Sequence, residues 1–238
     1  MGNEFEKLRD LEKIIILNDS SKYPAKINYK IGIRKKITCI SMDKISFWEV
    51  LERRRSNRGG GAVTIERLSQ LLHCSARVQS SNLAEDGSIK TKRPYAGAGG
   101  RHSIEILCLA NNVIGLNPGI WHFNPFISEL GQIEINNKFI EELNVEVKKL
   151  LNVEENPPLV LVYLSDVKKL TSRYQNGISL LFKDAGNLSA TISLACEALG
   201  LNSCQLGLNS EFNFYQDIGV CKDRMWIVGA HSVFNNKK

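Results

Sequence analysis

The sequence has no apolar run near the roughly 18 residues needed to cross a bilayer, and so predicts no membrane-spanning helix. Its opening, Met1-Gly2-Asn3-Glu4-Phe5-Glu6-Lys7, lacks the basic-then-apolar order of a secretory signal, so the expected location is cytoplasmic. Glu6 stands where N-myristoylation takes Ser or Thr, and that modification is set aside. The six cysteines, Cys39, Cys74, Cys108, Cys196, Cys204 and Cys221, form no C-x-x-C pair and read as reduced, mostly buried thiols. His73, His102, His122 and His231 show no i, i+4 pairing and no nearby carboxylate at a metal-site spacing, so no metal is expected. The Lys and Arg residues give a net charge of +6 but are dispersed, with no stacking motif beside them, which argues against nucleic acid as a partner.

What is present is a globular composition, 43% hydrophobic and 24% charged over 238 residues, enough for one sizeable core. Residues 1–45 read as an N-terminal extension: a short helix, a turn around Pro24 and an extended segment from Lys26 to Ile40. The main domain is expected to span 46–238. Ser46 is placed to cap a helix through Glu52, and Thr64 to open a second whose Ile65, Leu68, Leu71 and Leu72 share a face, with Gly59-Gly60-Gly61 as a flexible joint between them. Residues 75–92 are polar and weakly patterned and read as a mobile surface loop. Strands are predicted over Ile104–Leu109 and Ile120–Phe123, joined by a turn at Asn117-Pro118-Gly119. A helix over 137–151 stops before Pro157-Pro158, and the apolar run Leu159–Leu164 has the length and branching of a central strand. Asp184–Leu199 reads as one helix ended by Gly200, its small residues suited to tight packing across a dimer, and Met225–Val228 as the last strand. The irregular mixture favours an α+β arrangement over a doubly wound sheet.

Four stretches carry candidate chemistry. Arg54-Arg55-Ser56-Asn57-Arg58 gathers three guanidinium groups and a hydroxyl within about two helical turns. Such a cluster suits a phosphate, held in bidentate forks, or equally a solvated helix end with cations at the negative pole of the macrodipole. Arg93-Pro94-Tyr95-Ala96-Gly97-Ala98-Gly99-Gly100-Arg101-His102-Ser103-Ile104-Glu105 is a glycine-dense run entering a strand. Glycine there permits close backbone approach to a flat or phosphorylated ligand, but the G-x-G-x-x-G spacing of a dinucleotide fold is absent. Gly200-Leu201-Asn202-Ser203-Cys204-Gln205-Leu206-Gly207 follows the helix containing Asp184-Ala185-Gly186-Asn187, and reads either as a ligand-facing backbone or as a buried helix-to-strand connection. Ser172-Arg173-Tyr174 offers an ionisable hydroxyl beside a fixed cation, with Lys168 and Lys169 close in sequence.

Taken in order, these stretches resemble the flavin-dependent nitroreductase superfamily, and within it the branch that oxidises peptide azolines to thiazoles and oxazoles. The match runs over roughly residues 46–231. Every specified position of an Arg-Arg-Ser-x-Arg pattern is present at Arg54, Arg55, Ser56 and Arg58. The glycine run keeps Arg93, Pro94, Ala98, Gly99, Gly100 and Glu105 but has Ala96, Gly97 and Ser103 where Pro, Ser and Pro are usual. Asp184 and Asn187 replace Glu and His, and Arg173-Tyr174 falls where that branch has Lys-Tyr. The resemblance implies a nitroreductase-like α+β fold with a central, mostly antiparallel sheet flanked by helices, and a homodimer with FMN at its interface. FMN would be held by Arg54, Arg55, Ser56, Arg58, Gly97, Ala98, Gly99, Gly100, Leu206 and Gly207, and proton transfer would rest on Tyr174 and Arg173. It also implies a ribosomally made peptide as substrate and a cyclodehydratase complex as partner. Two other readings stay open: an NAD(P)H-dependent, nitroreductase-like oxidoreductase acting on small aromatic or quinone acceptors, and a non-catalytic flavin-fold subunit of a peptide-modifying complex.

Overall fold

The computed structural model describes residues 24, 26–39, 41–208 and 224–236. Along the chain come β1 (Ile31–Lys36), α1 (Phe47–Arg53), β2 (Val63–Thr64), α2 (Ile65–Ala76), β3 (Ser80–Leu83), β4 (Ile89–Lys92) and a 3-10 turn (Ala98–Gly100). There follow β5 (Ile104–Ala110), β6 (Val113–Ile114), β7 (Gly119–Asn124), β8 (Glu129–Ile133), α3 (Asn137–Leu151), β9 (Leu159–Asp166), α4 (Val167–Thr171), α5 (Gly177–Ala198), β10 (Leu201–Leu206) and β11 (Met225–Asn235). Seven strands form one antiparallel sheet in the order β1-β8-β7-β5-β9-β11-β10, so the architecture is α+β, as expected. The short helix expected before Pro24, and Cys221, lie outside the described residues.

Strand β9 sits in the middle of the sheet because its residues are apolar apart from Tyr163, whose hydroxyl reaches His231, Ser165, whose hydroxyl bonds Ser103, and Asp166, which pairs with Arg224; all eight are buried. Alternation divides its side chains between two layers. Leu159, Leu161 and Tyr163, with Ile106 and Cys108 of β5, face the layer built by Leu68, Leu71 and Leu72 of α2 and by Leu181, Leu188 and Ile192 of α5. Val160, Val162 and Leu164, with Leu107 and Leu109, face Phe139, Leu143, Val147 and Leu151 of α3. The 137–151 helix has the bounds expected, opened by Asn136, whose side chain accepts from the Lys138 N–H, and closed by left-handed Asn152.

Several local expectations change. Residues 75–92 are not a loop: the segment opens with the end of α2 and continues as the β3–β4 hairpin, registered Ser80↔Lys92 through Leu83↔Ile89. Its tip is organised by Gly87 at φ +73° and by Asp86, whose carboxylate accepts from the Ser88 N–H at 3.0 Å. Gly59-Gly60-Gly61 is no free joint either, since Gly61 exchanges both backbone hydrogen bonds with Asn235 at 2.8 and 3.0 Å. The Asp184 helix begins seven residues earlier, at Gly177, a position where a Cβ would meet the Leu170–Thr171 backbone at 2.9 Å. Ser46 occupies the N-cap of α1 without a side-chain bond, whereas Thr64 does cap α2, accepting from Arg67 N–H at 3.3 Å. The extended segment after Lys26 contributes β1, which pairs with β8 at the sheet edge. The last strand continues past Val228 to Asn235, with a register shift between Ile227 and Ala230.

Candidate functional site

The glycine run turns sharply between β4 and β5. Gly99 and Gly100 take left-handed φ values of +57° and +70°, which are strained for any residue with a Cβ. The turn is fixed from three sides. Above Gly97, the His102 ring occupies the space a side chain would need, at 2.7 Å from the Cβ position. That ring is buried and stands between Thr91 Oγ1, 2.9 Å from Nδ1, and the Tyr95 carbonyl, 3.2 Å from Nε2. From α5, Asp184 Oδ1 accepts the Ala98 N–H at 2.9 Å and Asn187 Nδ2 donates to the Ala96 carbonyl at 3.2 Å. Against Gly99 lies Tyr174, whose hydroxyl would be 2.3 Å from a Cβ at that position. Tyr174 is thus brought to the glycine turn although it is far away in sequence.

Burial shapes the proton affinities here. Asp184 is 2% exposed, its Oδ2 has no hydrogen-bond partner, and desolvation raises its pKa to about 6 against the opposing effect of the Ala98 N–H. His102 moves the other way, its pKa lowered first by burial and then by the Arg93 charge. Arg173 lies on the side of Asp86, where its charge adds to the lowering of that carboxyl's pKa, an effect led by the Ser88 hydrogen bonds.

The arginine run leaves the helix at once. Arg54 is the C-cap of α1 with extended ψ, so Arg55, Ser56 and Arg58 lie on extended chain instead of helical turns. This chain is tied to β10: Asn57 N–H donates to Ser203 O at 2.8 Å, Asn57 Nδ2 to Asn202 Oδ1 at 3.2 Å, and Asn202 Nδ2 to Gly59 O at 2.8 Å. Arg55 Nη1 turns back to the carbonyls of Glu52 and Arg54 at 2.9 and 3.0 Å, while Ser56 and Arg58 are exposed.

Strand β10 connects the two clusters. Ser203 holds the arginine segment, and Gln205 pairs with His231, whose Nε2 is 3.0 Å from Ser193 Oγ on α5. The strand therefore runs back along the helix and carries Leu206 and Gly207 toward its Asp184 end. Gly207 and Gly186 are exposed, and among the described residues no other part of the chain comes within 4 Å of where a Cβ would stand. The result is open backbone at Gly207 and Gly186, a glycine turn with Tyr174 beside Asp184, and a cationic segment at the opposite end of β10.

Sequence reasoning treated Asp184 as a replaced family residue and did not foresee it as the clamp on Ala98. Nothing in its local pattern marks that contact across 86 positions.

This fold is that of the nitroreductase class. No family model matches the chain, and no curated protein matches it. Solved structures do. The chain is similar to a protein classed as a nitroreductase from Anabaena variabilis, with TM-score 0.65 and 21% identity over 86% of this chain, of which it spans only 42%. It is also similar to one so classed from Ralstonia eutropha, with TM-score 0.61 and 14% identity over 95% of this chain and 99% of that one. A third similar structure is the E. coli microcin synthetase McbBCD complex with truncated pro-MccB17 bound, with TM-score 0.54 and 16% identity over 84% of this chain and 76% of that one. The chain has the nitroreductase fold.

Proposed function

We propose that the chain is an FMN-dependent oxidoreductase that oxidises azoline rings in a ribosomally made peptide to azoles. The observation that carries this is the packing of the Tyr174 hydroxyl against left-handed Gly99, in a turn clamped by a buried carboxyl. That cluster puts a proton-transfer group at the edge of a backbone cradle able to face a flat ring.

The residues present suit FMN. Arg54, Arg55 and Arg58 with Ser56 supply a cationic, hydroxyl-bearing segment for the phosphate. The open backbone at Gly207 leaves room for a planar group that a side chain would obstruct, and the Gly97–Gly100 turn, packed by His102 and Tyr174, fixes the backbone beside Asp184. FMN, when bound, supplies the hydride acceptor for ring oxidation. The chain's own part is to hold the ring and receive the proton released with the hydride. Arg173 cannot receive it, because a guanidinium stays charged at any usable pH. Tyr174 is the proposed acceptor, and Asp184, with its pKa near 6, is a second group in the same cluster able to hold a proton near neutrality.

The microcin synthetase likeness supports a peptide substrate and a partner complex that makes the azoline. A homodimer is favoured by Phe47, Trp48 and Leu51 of α1, which are 60%, 75% and 41% exposed beside the arginine segment. A second reading is an NAD(P)H-fed reductase of small aromatic acceptors, favoured by the higher TM-scores of the two nitroreductase-classed structures.

The test is the visible spectrum of the purified protein with identification of the flavin released on denaturation, followed by anaerobic mixing with an azoline peptide or with NAD(P)H. Bleaching by the peptide supports azoline oxidation, and bleaching by NAD(P)H alone followed by nitroaromatic turnover supports the second reading. A protein that takes up no FMN is the non-catalytic subunit.

A further inference from the structure

Across the sheet from α5 lies a cavity of about 490 Å³ that the proposed chemistry does not use. Its floor is Glu105 of β5, His122 of β7 and Asp166 of β9, all on the α3 side by the alternation that places Leu107, Ile120 and Leu164 there. Tyr29 stacks on the His122 ring at 4.3 Å between centroids. The rim is apolar: Leu83 and Ile89, paired across the β3–β4 hairpin, and Phe126 are 74%, 45% and 52% exposed.

The charges that face the cavity do not all cancel. Glu105 is neutralised by Lys169 at 3.1 Å and accepts from His122 Nε2 at 2.8 Å, Asp166 is held by Arg224 at 2.9 and 2.6 Å, and Arg101 pairs with Asp86. Arg93 and Lys26 are left with no carboxylate partner among the described residues. Arg93 gives its Nε–H to Thr91 Oγ1 at 3.3 Å, and the buried Tyr29 hydroxyl has no hydrogen-bond partner among the described residues. That hydroxyl is closed off from the cavity, and burial, with the charges of Glu105 and Asp166, raises its pKa. The uncommitted groups are therefore donors and cations, and the remaining surface is apolar.

We propose that this cavity is a binding site for a small amphipathic monoanion, its oxyanion held by Arg93 and its apolar body lying between the Leu83–Ile89 rim and Phe126. The volume falls within the range of small-molecule sites, roughly 300–1,000 Å³. The proposal does not depend on FMN or on the reaction across the sheet, because the oxyanion is selected by charge left over in this cavity.

The experiment is isothermal titration of the full chain with decanoate, and with methyl decanoate and decyltrimethylammonium as neutral and cationic counterparts, all below their micellar concentrations. Decanoate should bind at one site per chain, at least about tenfold tighter than the ester, the difference expected for a charge-assisted hydrogen-bonded contact. Arg93→Ala should remove most of that difference while leaving the ester's affinity unchanged. Leu83→Glu changes an exposed rim residue that the fold does not need, and it should weaken decanoate more than the ester because it adds a repelling charge. Arg54→Ala should change neither. Equal binding of acid and ester, preference for the cation, absence of saturable decanoate binding, or decanoate binding indifferent to both Arg93→Ala and Leu83→Glu would each overturn the proposal.

Discussion

The two faces of the central sheet bury ionisable groups in opposite ways. On the α5 face Asp184 has one oxygen bonded to the Ala98 N–H and the other bonded to nothing, and His231 stands among the hydroxyls of Tyr163, at 2.7 Å, and Ser193. Neither has a counter-ion, so burial moves each toward its neutral form: Asp184 up to about 6 and His231 down to about 4. On the α3 face Glu105 is also buried, and burial again opposes its charge. There Lys169 and His122 outweigh desolvation and hold the carboxyl well below the usual range. Burial alone neutralises, and burial with a partner fixes a charge. A group that changes protonation near neutrality can move a proton, so the α5 face is suited to proton chemistry and the α3 face to binding.

The sharpest way to break this contrast is to remove the partner. Glu105→Ala should leave Lys169 and His122 without their acceptor and lower stability by about 3 kcal/mol, the scale for stranding one member of a buried pair. The double variant Glu105→Leu with Lys169→Met removes both charges and should recover most of that loss, measured by urea denaturation in both cases. A double variant as unstable as the single would mean that the two charges are not coupled.

The unpartnered groups predict pH effects of opposite sign. His231 has a folded pKa below its unfolded value, so its contribution to stability is present above about pH 6.5 and lost as pH falls toward 4, by about 3 kcal/mol. Asp184 has a folded pKa above its unfolded value, so its contribution grows as pH falls from about 6 toward 3.8, by a similar amount. The two nearly cancel in the parent between pH 6 and 4. Asp184→Asn keeps an acceptor for Ala98 N–H but does not titrate in this range. It should match or exceed the parent in stability at pH 7.5 and fall behind it at pH 4. A stability difference that stays constant across that range would remove Asp184 as a displaced titrating group.

A smaller effect tests the contact at the centre of the proposed site. Gly99→Ala forces a Cβ into left-handed backbone, for roughly 1 kcal/mol, and sets it 2.3 Å from the Tyr174 hydroxyl. The next nearest ring atom, Tyr174 Cζ, is at 3.6 Å. In a Tyr174→Phe background the steric part should therefore vanish and leave only the backbone part. An equal cost in both backgrounds would mean that Tyr174 is not seated on Gly99.

What was legible in the sequence follows from how each element is stabilised. The strand over Leu159–Leu164 and the helix over 137–151 stood out because their burial is continuous or periodic, and burial writes itself into composition. The β3–β4 hairpin did not stand out because all four residues of β3 are exposed, leaving no apolar alternation to read. Its Asp86-Gly87 turn is a hairpin signal, but it lies between strands too polar to be recognised. The candidate site divides similarly. The glycine turn and the arginine segment carry unusual residue types and can be found locally. The clamp from Asp184 and the seat of Tyr174 on Gly99 are products of α5 folding over the sheet, and no spacing encodes them. The ion-paired floor beneath Tyr29 was hidden for the same reason, since Glu105, His122 and Lys169 come from β5, β7 and α4.

The least destabilising prediction separates charge that holds the fold from charge that waits for a ligand. Arg54 is half-buried and Arg58 exposed, with no carboxylate paired to either among the described residues, and their segment is anchored instead by Asn57 on Ser203 and Asn202. Arg54→Ala together with Arg58→Ala should leave the urea midpoint nearly unchanged, since Arg54 caps α1 through its backbone N–H to Val50 O and neither side chain has an ion pair among the described residues. If these guanidinium groups hold the FMN phosphate, the same variant should lose FMN on gel filtration, with its measured affinity reduced about tenfold or more, the scale for a bidentate ionic contact. Adding salt should weaken the parent's hold on FMN and narrow the gap to the variant, because exposed charge is screened. Unchanged FMN occupancy would remove these arginines from the phosphate site, and a large drop in stability would mean that the segment is structural like Glu105 and Lys169. Only the combination of intact stability with lost cofactor supports the division between buried pairs such as Glu105 and Lys169, whose charges hold the fold, and an edge whose charges bind a ligand.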